Sequence, residues 1–324
     1  MKKIYIILLS IVSIRLCALS TWHLPDPHLN YNHVAFLTTH NSYAAKKHGF
    51  FYAQQYWTIQ EQLENGVRGL MLDTYYNKTK TDVVLCHGGL GWNNFLRGGK
   101  VPMSLQESLI IIKEFLERNK QEVITLFLEN YVENKNLLDK AFRASDIEHL
   151  ILSPADWNPL QQRGWPTIAW MQHMNKRLVI FNSLDKTDLT FNEWEHVVEN
   201  QFGVLTTKHA CRERKESQQW RGNNRYVYLV NYFSTFKLNL GGAYRIINGV
   251  NLDRLMQEIS QGLDQTRLYK KRSPNFIAVD YVNEGDAMKH VNAINKQAKH
   301  ALIRKTMFAC LRVKKRKVNQ HEST

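Results

Sequence analysis

Four stretches of the 324-residue chain each close an apolar run on a polar side chain: VAFLTTHN on His40 and Asn41, LMLDTY on Asp73, VVLCHGG on His87, and VITLFLEN on Glu129. Short apolar runs bounded in this way read as buried strands. In a parallel barrel, the residues that do chemistry come from the C-terminal ends of several strands, while the opposite ends serve stability. The four stretches therefore place two imidazoles and a set of oxygen ligands at one mouth of such a barrel. A carboxylate ending an apolar strand is costly to bury without a partner, so Asp73 and Glu129 either bind a cation or pair inside the mouth.

The rest of the chain alternates as a barrel requires. Strands are expected at Val34 to Thr39, Gly69 to Tyr75, Val83 to His87, Val123 to Leu128, Arg177 to Phe181, Val197 to Phe202, Tyr226 to Phe233 and Phe276 to Val282. Helical spacing falls at Tyr52 to Glu64, Thr167 to Met174, Leu252 to Gln261 and Ala287 to Ala298. Ser104 with Glu107 three residues on reads as a capping box, opening a helix with Leu105, Leu109, Ile112 and Leu116 as its apolar face. Thr206 to Asn224 is polar and basic without a period and reads as a long surface loop. Strands alternating with helices predict an α/β fold, a (β/α)8 TIM barrel. Such a barrel runs to about 250 residues as one unit. No repeat, Gly/Ser linker or low-complexity tract divides residues 21–303, which read as one enzyme-sized domain.

The two ends stand apart in composition. Met1 to Lys3 are basic, Ile4 to Ile14 are apolar, and Ala18-Leu19-Ser20 offers a cleavage point, the pattern of a signal peptide over residues 1–20. An uncleaved anchor is the alternative, but an apolar stretch that ends at Arg15 falls short of the roughly 20 residues that span a bilayer. The leader implies a secreted protein, or a periplasmic one in a bacterium. Removing its Lys2, Lys3 and Arg15 leaves 40 of 43 basic residues against 29 acids, and the net charge falls from +14 to +11. For an exported chain, that balance points to an anionic membrane or glycan surface rather than to nucleic acid. No obligate protein partner is implied. Segment 304–324 contains VKKRK and concentrates the charge, as a solvated terminus or as a lipid-docking tail. After cleavage Cys86, Cys211 and Cys310 remain, enough for one disulfide, for which Cys211 and Cys310 are the expected pair.

The motifs THNSY, QLENGVRGLMLDTY, LCHGG and EVITLFLENYV, in that order and spacing, resemble the X region of the phosphatidylinositol-specific phospholipase C superfamily. That superfamily is a (β/α)8 barrel, and the likeness is greatest to its secreted phospholipase-C-like phosphodiesterases. Weaker matches at NKRLVIFNS, EHVVENQFG and NFIAVDYV extend the resemblance from Thr38 to Val282. It implies cleavage of a phosphatidylinositol-like phospholipid at an anionic membrane surface, with His40 as base or phosphoryl stabiliser and His87 as general acid. It also implies a metal site at Asn41, Asp73 and Glu129, because the metal-independent branch carries arginine or lysine at the latter two positions. Oxygen ligation of this kind suits Ca²⁺, with Mg²⁺ as the alternative.

The chemistry agrees with that implication. Cleavage by a neighbouring hydroxyl needs a group to take its proton, a group to protonate the leaving alkoxide, and positive charge on the phosphoryl oxygens. Two departures from the family pattern matter. Met71 stands where the calcium-dependent enzymes carry a glutamate ligand, and Phe181-Asn182-Ser183 stand where they carry lysines that contact ring phosphates. The second departure speaks against a polyphosphorylated headgroup. Sphingomyelinase-D-like and glycerophosphodiester reactions on the same barrel are the alternatives within the enzyme class. A noncatalytic lipid- or glycan-binding module is the alternative outside it, with Met71 as its support. Asp280 and Tyr281 are further candidates for substrate contact, whereas Arg68 precedes its strand and belongs to the stability face. Binding of the mature protein to anionic vesicles should weaken steeply with salt, since the Debye length contracts from about 30 Å at 0.01 M to about 8 Å at 0.15 M. Co-sedimentation over that range tests it, and salt-independent binding would rule out charge as the driving force.

Overall fold

The computed structural model describes residues 21–50, 53–88, 102–158, 164–184, 187–202, 214–217, 226–233, 273–285 and 287–321, with side chains through residue 306. Nine strands form one sheet: β1 Phe36–Thr39, β2 Gly69–Tyr76, β3 Val83–Leu85, β4 Ile124–Asn130, β5 Leu178–Asn182, β6 Phe191–Asn192, β7 Val197–Glu199, β8 Val227–Asn231 and β9 Phe276–Val279. They run in the order β6-β5-β4-β2-β1-β9-β8-β7, and every neighbouring pair is parallel. The result is a curled parallel sheet with helices around it, an α/β architecture of the TIM-barrel type. No described pairing joins β6 to β7, which leaves a seam between them.

One expected barrel strand is a hairpin arm instead. β3 lies off the barrel path and pairs antiparallel with β2, Thr74 opposite Leu85 and Tyr76 opposite Val83. The reversal is made by Asn77, whose Oδ1 accepts from the Thr81 main chain at 2.9 Å, and by Lys80 in the left-handed region at φ 55°. The eighth parallel strand is β6, whose two residues carry no readable period.

Consecutive strand residues enter two different cores. Phe36, Phe127, Val179, Phe181, Phe191, Val197, Leu229, Phe276 and Ala278 fill the enclosed interior. Their neighbours Leu37, Leu126, Leu128, Ile180, Val198, Val230 and Ile277 face the surrounding helices. Each such side chain stabilises the fold by about 1.5–3 kcal/mol relative to leaving it in water. Helix Leu105–Arg118 has the expected capping box, and its four expected apolar positions are all buried. The expected helix at Tyr52 to Glu64 is shorter, Ile59–Glu64, because Thr58 and Glu61 form a capping box that starts it there. Helices Lys135–Ala144 and Ile168–His173 complete the larger ones of the barrel wall. The expected helix at Leu252 to Gln261 lies outside the described residues.

The foot of the barrel is held by Arg68, which forks onto Glu122 through Nε and Nη2, both at 2.7 Å. Trp22 donates to the same carboxylate and lies beside the guanidinium. The C-terminal helix Ala287–His321 is longer than expected. Its Asn295 bonds both the N–H and the C=O of Ala35, just before β1, so its later turns lead toward the foot and away from the mouth. No described helix is long and apolar enough to cross a membrane. Gly69 lies opposite Thr38 in the β1–β2 register, and a Cβ there would sit 2.2 Å from the Thr38 hydroxyl oxygen. Gly69→Ala should therefore destabilise the protein by about 1–3 kcal/mol. Urea denaturation measures this, and an unchanged midpoint would show that the two strands part freely at this register.

Candidate active site

Because strand side chains alternate in direction, the residue two positions beyond the last interior apolar residue also points inward. On seven of the eight parallel strands these residues are Asp73, Glu129, Ser183, Glu193, Glu199, Asn231 and Asp280, and on β1, where Thr38 intervenes, the inward residue at this level is His40. They form a polar ring above a floor that includes Met71 and Phe127. Six of the ring residues, with that floor and Arg214, line a small cleft open to solvent.

Two imidazoles stand at this mouth, His40 on the ring and His87 beside it, each held through Nδ1 by its own carboxylate. His40 Nδ1 is 2.8 Å from Asp280 Oδ1, and its ring stacks on Phe233 with centroids 3.7 Å apart. His87 Nδ1 is 2.9 Å from Asp73 Oδ2. Ionised carboxylates only accept hydrogen bonds, so both histidines carry a proton on Nδ1 and present Nε2 as the working atom. The Asp73 hydrogen bond raises the pKa of His87 above the usual imidazole value, against the opposing effect of partial burial. Burial raises the pKa of Asp280, and the neighbouring His40 opposes that rise.

His87 reaches this position by the hairpin rather than by a parallel strand. β3 returns alongside β2, the Cys86 N–H donates to the Asp73 carbonyl at 3.2 Å, and the next side chain meets the Asp73 carboxylate. Asn41, at φ 44°, turns the chain sharply after His40 and sets its amide 3.4 Å from His87 Nδ1. Tyr43 donates to the Asn41 Oδ1 at 3.4 Å. Burial, then the Asp73 carboxylate, push its phenol well above the ordinary value.

The opposite wall is acidic. Glu199 takes Arg214 Nη1 at 3.2 Å and the Asn231 amide at 2.6 Å. Arg214 lies between Trp194 and Phe202, each ring centroid 4.8 Å from its guanidinium carbon. Burial works against the Arg214 charge, but Glu199 and Glu193 outweigh it and raise its pKa. Burial raises the pKa of Glu193, helped by Glu199, and that of Glu199, opposed by Arg214.

The expected metal ligands come together only in part. Asp73 and Glu129 are opposite one another in the β2–β4 register and both line the cleft. Glu129 gives Oε1 to Tyr131 and keeps Oε2 outside that bond. Among the described residues no group of three or more His, Cys, Asp or Glu side chains is placed to hold a metal ion. Asn41 does not line the cleft, its Oδ1 accepting from Tyr43 and its Nδ2 lying by His87, so the set brought together is two carboxylates, hard oxygen donors of the kind that Ca²⁺ or Mg²⁺ takes.

Several site residues depart from the sequence reading. Asp280, expected to touch substrate, orients His40, and Tyr281 gives its hydroxyl to the Ala53 carbonyl. Arg214, in a stretch expected to be surface loop, reaches into the cleft, and Ser217 beside it is buried against Glu199. Glu199 escaped notice although it closes an apolar run, VVE, by the same rule as the first four stretches. Glu193 follows a strand too short to signal. Asp73→Asn should lower the pKa of His87, because the largest raising influence is removed while the burial that lowers it remains. Titration of the imidazole by NMR reads the shift, and an unchanged midpoint would mean that Asp73 does not hold His87 in solution.

Comparison with known proteins places this geometry. The PI-PLC X family model matches residues 28–295. A PI-PLC X domain-containing protein of Arabidopsis thaliana is 30% identical over 275 residues, covering 80% of this chain and 60% of that protein. PI-PLC X domain-containing protein 1 of Arthroderma benhamiae is 25% identical over 278 residues, covering 82% of this chain and 85% of that protein. A further protein of that fungus, named as an uncharacterized secreted protein, is 22% identical over 270 residues, and the chain spans 58% of its length. The phosphatidylinositol-specific phospholipase C of Listeria monocytogenes superposes with a TM-score of 0.53 at 14% identity, covering 84% of this chain and 95% of that one. The Staphylococcus aureus enzyme superposes at 0.51 with 13% identity, covering 83% and 94%. These two show the shared fold. With the family model matched over most of its length and the barrel mouth built as described, the chain belongs to the PI-PLC X family.

Proposed function

We propose that the protein is a secreted, metal-assisted phosphoric diester hydrolase of phospholipase C type, acting on a phosphatidylinositol-like lipid at a membrane surface. The observation that carries this reading is the pair of imidazoles at one rim, each with Nδ1 engaged by a carboxylate and Nε2 left for chemistry. His40 Nε2 takes the proton of the headgroup hydroxyl as its oxygen bonds to phosphorus. His87, kept protonated to higher pH by Asp73, gives a proton to the diacylglycerol oxygen as its bond to phosphorus breaks. Asp280 and Asp73 fix the tautomers, and Asp73 stabilises the imidazolium form of His87, as a carboxylate does for a catalytic histidine. A hard cation held by Asn41, Asp73 and Glu129 would add positive charge at the phosphoryl oxygens. Export is supported by the leader composition and by the name of one relative.

The mature protein should release diacylglycerol from phosphatidylinositol vesicles. His40→Ala and His87→Ala should each lower the rate by roughly 10²–10⁴-fold, the usual range for removing an acid–base group. A chelator should lower it, and added Ca²⁺ restore it. Release of the headgroup with phosphatidate left behind would assign a D-type reaction. Vesicle binding with no turnover on inositol or choline lipids would favour the binding module, with Met71 in the place of a ligand as its cause.

A further inference from the structure

The positive charge of the chain is gathered on one helix. Ala287–His321 carries ten Lys and Arg residues and no Asp or Glu, while residues 21–286 hold 30 basic side chains against 28 acidic ones. The barrel is close to neutral, and the helix supplies nearly all of the net +11 of residues 21–324. Its first turns are fastened to the barrel. Val291 is buried, Asn292 gives a side-chain N–H to the Thr21 carbonyl, Asn295 bonds Ala35, and Ala298 and Leu302 pack on the core. Ile303, Arg304, Lys305 and Thr306 are all exposed, so the helix leaves the barrel at Leu302. From Ile303 to His321 it runs on for about 28 Å, at about 1.5 Å per residue. Lys299 reaches Asp26 at 3.6 Å, whereas Arg304 and Lys305 beyond it meet no carboxylate among the described residues.

Between Arg304 and Lys317 stand seven basic residues and no acid. Like charges this close repel one another, and a polyanion is the partner that relieves them. Their spacing selects its form. A helix that lies on a bilayer separates an apolar face from a basic one. Here, at 3.6 residues per turn, Lys314 and Lys317 fall on the same side as Ile303, Met307 and Leu311, so no side of the helix is free of charge. A flat surface meets one side of such a helix, whereas a flexible chain can pass around it. The placement agrees, because a polyanion held beyond the foot leaves the mouth open. The leader composition points to a partner outside the cell, which favours glycan over nucleic acid. We propose that residues 303–321 bind an extended acidic polysaccharide, sulfated or carboxylated, and hold the protein in a glycan matrix with its mouth free. The site lies outside the barrel and shares with the phosphodiesterase reading only the premise of export.

The mature protein is compared with two variants, each checked for an unchanged thermal melt. One combines Lys314→Gln, Lys315→Gln, Arg316→Gln and Lys317→Gln, and the other ends the chain after Leu302, where the packing on the barrel stops. Heparin, polygalacturonate, phosphatidylserine-containing vesicles and a short DNA duplex are titrated calorimetrically at about 0.15 M salt. Wild type should bind both glycans, and heparin more tightly than vesicles or DNA. The combined variant should bind heparin at least about a hundredfold more weakly, four charges each worth roughly a factor of five near an anionic surface. The chain ended after Leu302 should not bind it. Saturating heparin should leave the cleavage of phosphatidylinositol by wild type running, because the mouth stays open. Tail-dependent glycan binding by a protein that cleaves no lipid under any condition would remove the phosphodiesterase reading and keep this site. Four results would overturn the proposal: no glycan binding by wild type, equal glycan binding by wild type and both variants, tail-dependent binding tighter to vesicles or DNA than to heparin, or cleavage stopped by heparin.

Discussion

Successive side chains of a β-strand point to opposite faces, and in a curled sheet one of those faces is an interior that has to be filled. Apolar side chains fill it up to the level of Met71, Phe127, Phe181 and Leu229. One step further along each strand the interior opens to solvent, and polar side chains stand there instead. Alternation leaves each strand a single inward residue at that level, so the cleft is a ring with one contribution per strand. Four of the eight are carboxylates that end or follow apolar strands, and Asp280 makes a fifth. Like charges this close, at the edge of a low-dielectric core, cannot all stand ionised and unpaired. The pairing seen around the ring follows from that requirement: imidazole on Asp73 and Asp280, phenol on Glu129, guanidinium on Glu199.

The two histidines satisfy the same requirement from different directions. His40 is itself a ring residue and turns its Nδ1 sideways to the neighbouring strand, β9. His87 is not on the ring. It is carried by a hairpin arm packed outside β2, and its Nδ1 reaches the Asp73 carboxylate from the rim, where the side chain stays half-exposed. That asymmetry suits a division of labour. On the proposed reading, a group that hands a proton to a departing lipid alkoxide would have to stand at the open edge, where the lipid would lie. A group that takes a proton from the headgroup would have to stand inside, where the headgroup would be held.

Much of this arrangement is legible in the sequence, and the limits have physical causes. His40, Asp73 and Glu129 stand out because each ends an apolar run long enough to show a strand. His87 stands out by the same run, yet its strand is antiparallel, since a short apolar segment reads alike in either direction and only the six-residue turn from Asn77 to Asp82 tells them apart. Glu199 closes three residues of β7, a run at the limit of notice, and Glu193 follows two. Arg214 has no local signal at all. Its place is set by partners distant in sequence, the Glu199 carboxylate and the faces of Trp194 and Phe202, while its own neighbours are polar and aperiodic. The partner of His40 lies 240 positions away, and a tertiary pairing of that kind leaves no trace in local pattern.

The charge of the chain and the charge of its mouth have opposite signs, and the two act over different distances. A net +11 for residues 21–324 gives a long-range field that would draw a protein without its leader to an anionic surface. Its reach is set by ionic strength, a few ångströms to a few tens of ångströms. Inside the cleft the balance is acidic, and the contacts there are short. The basic C-terminal stretch does not soften that contrast, because its helix leads away from the mouth. On the proposed reading, attraction to a surface and selection of a headgroup would therefore be governed by separate groups of residues. Salt acts mainly on the first, while substitution within the ring acts mainly on the second.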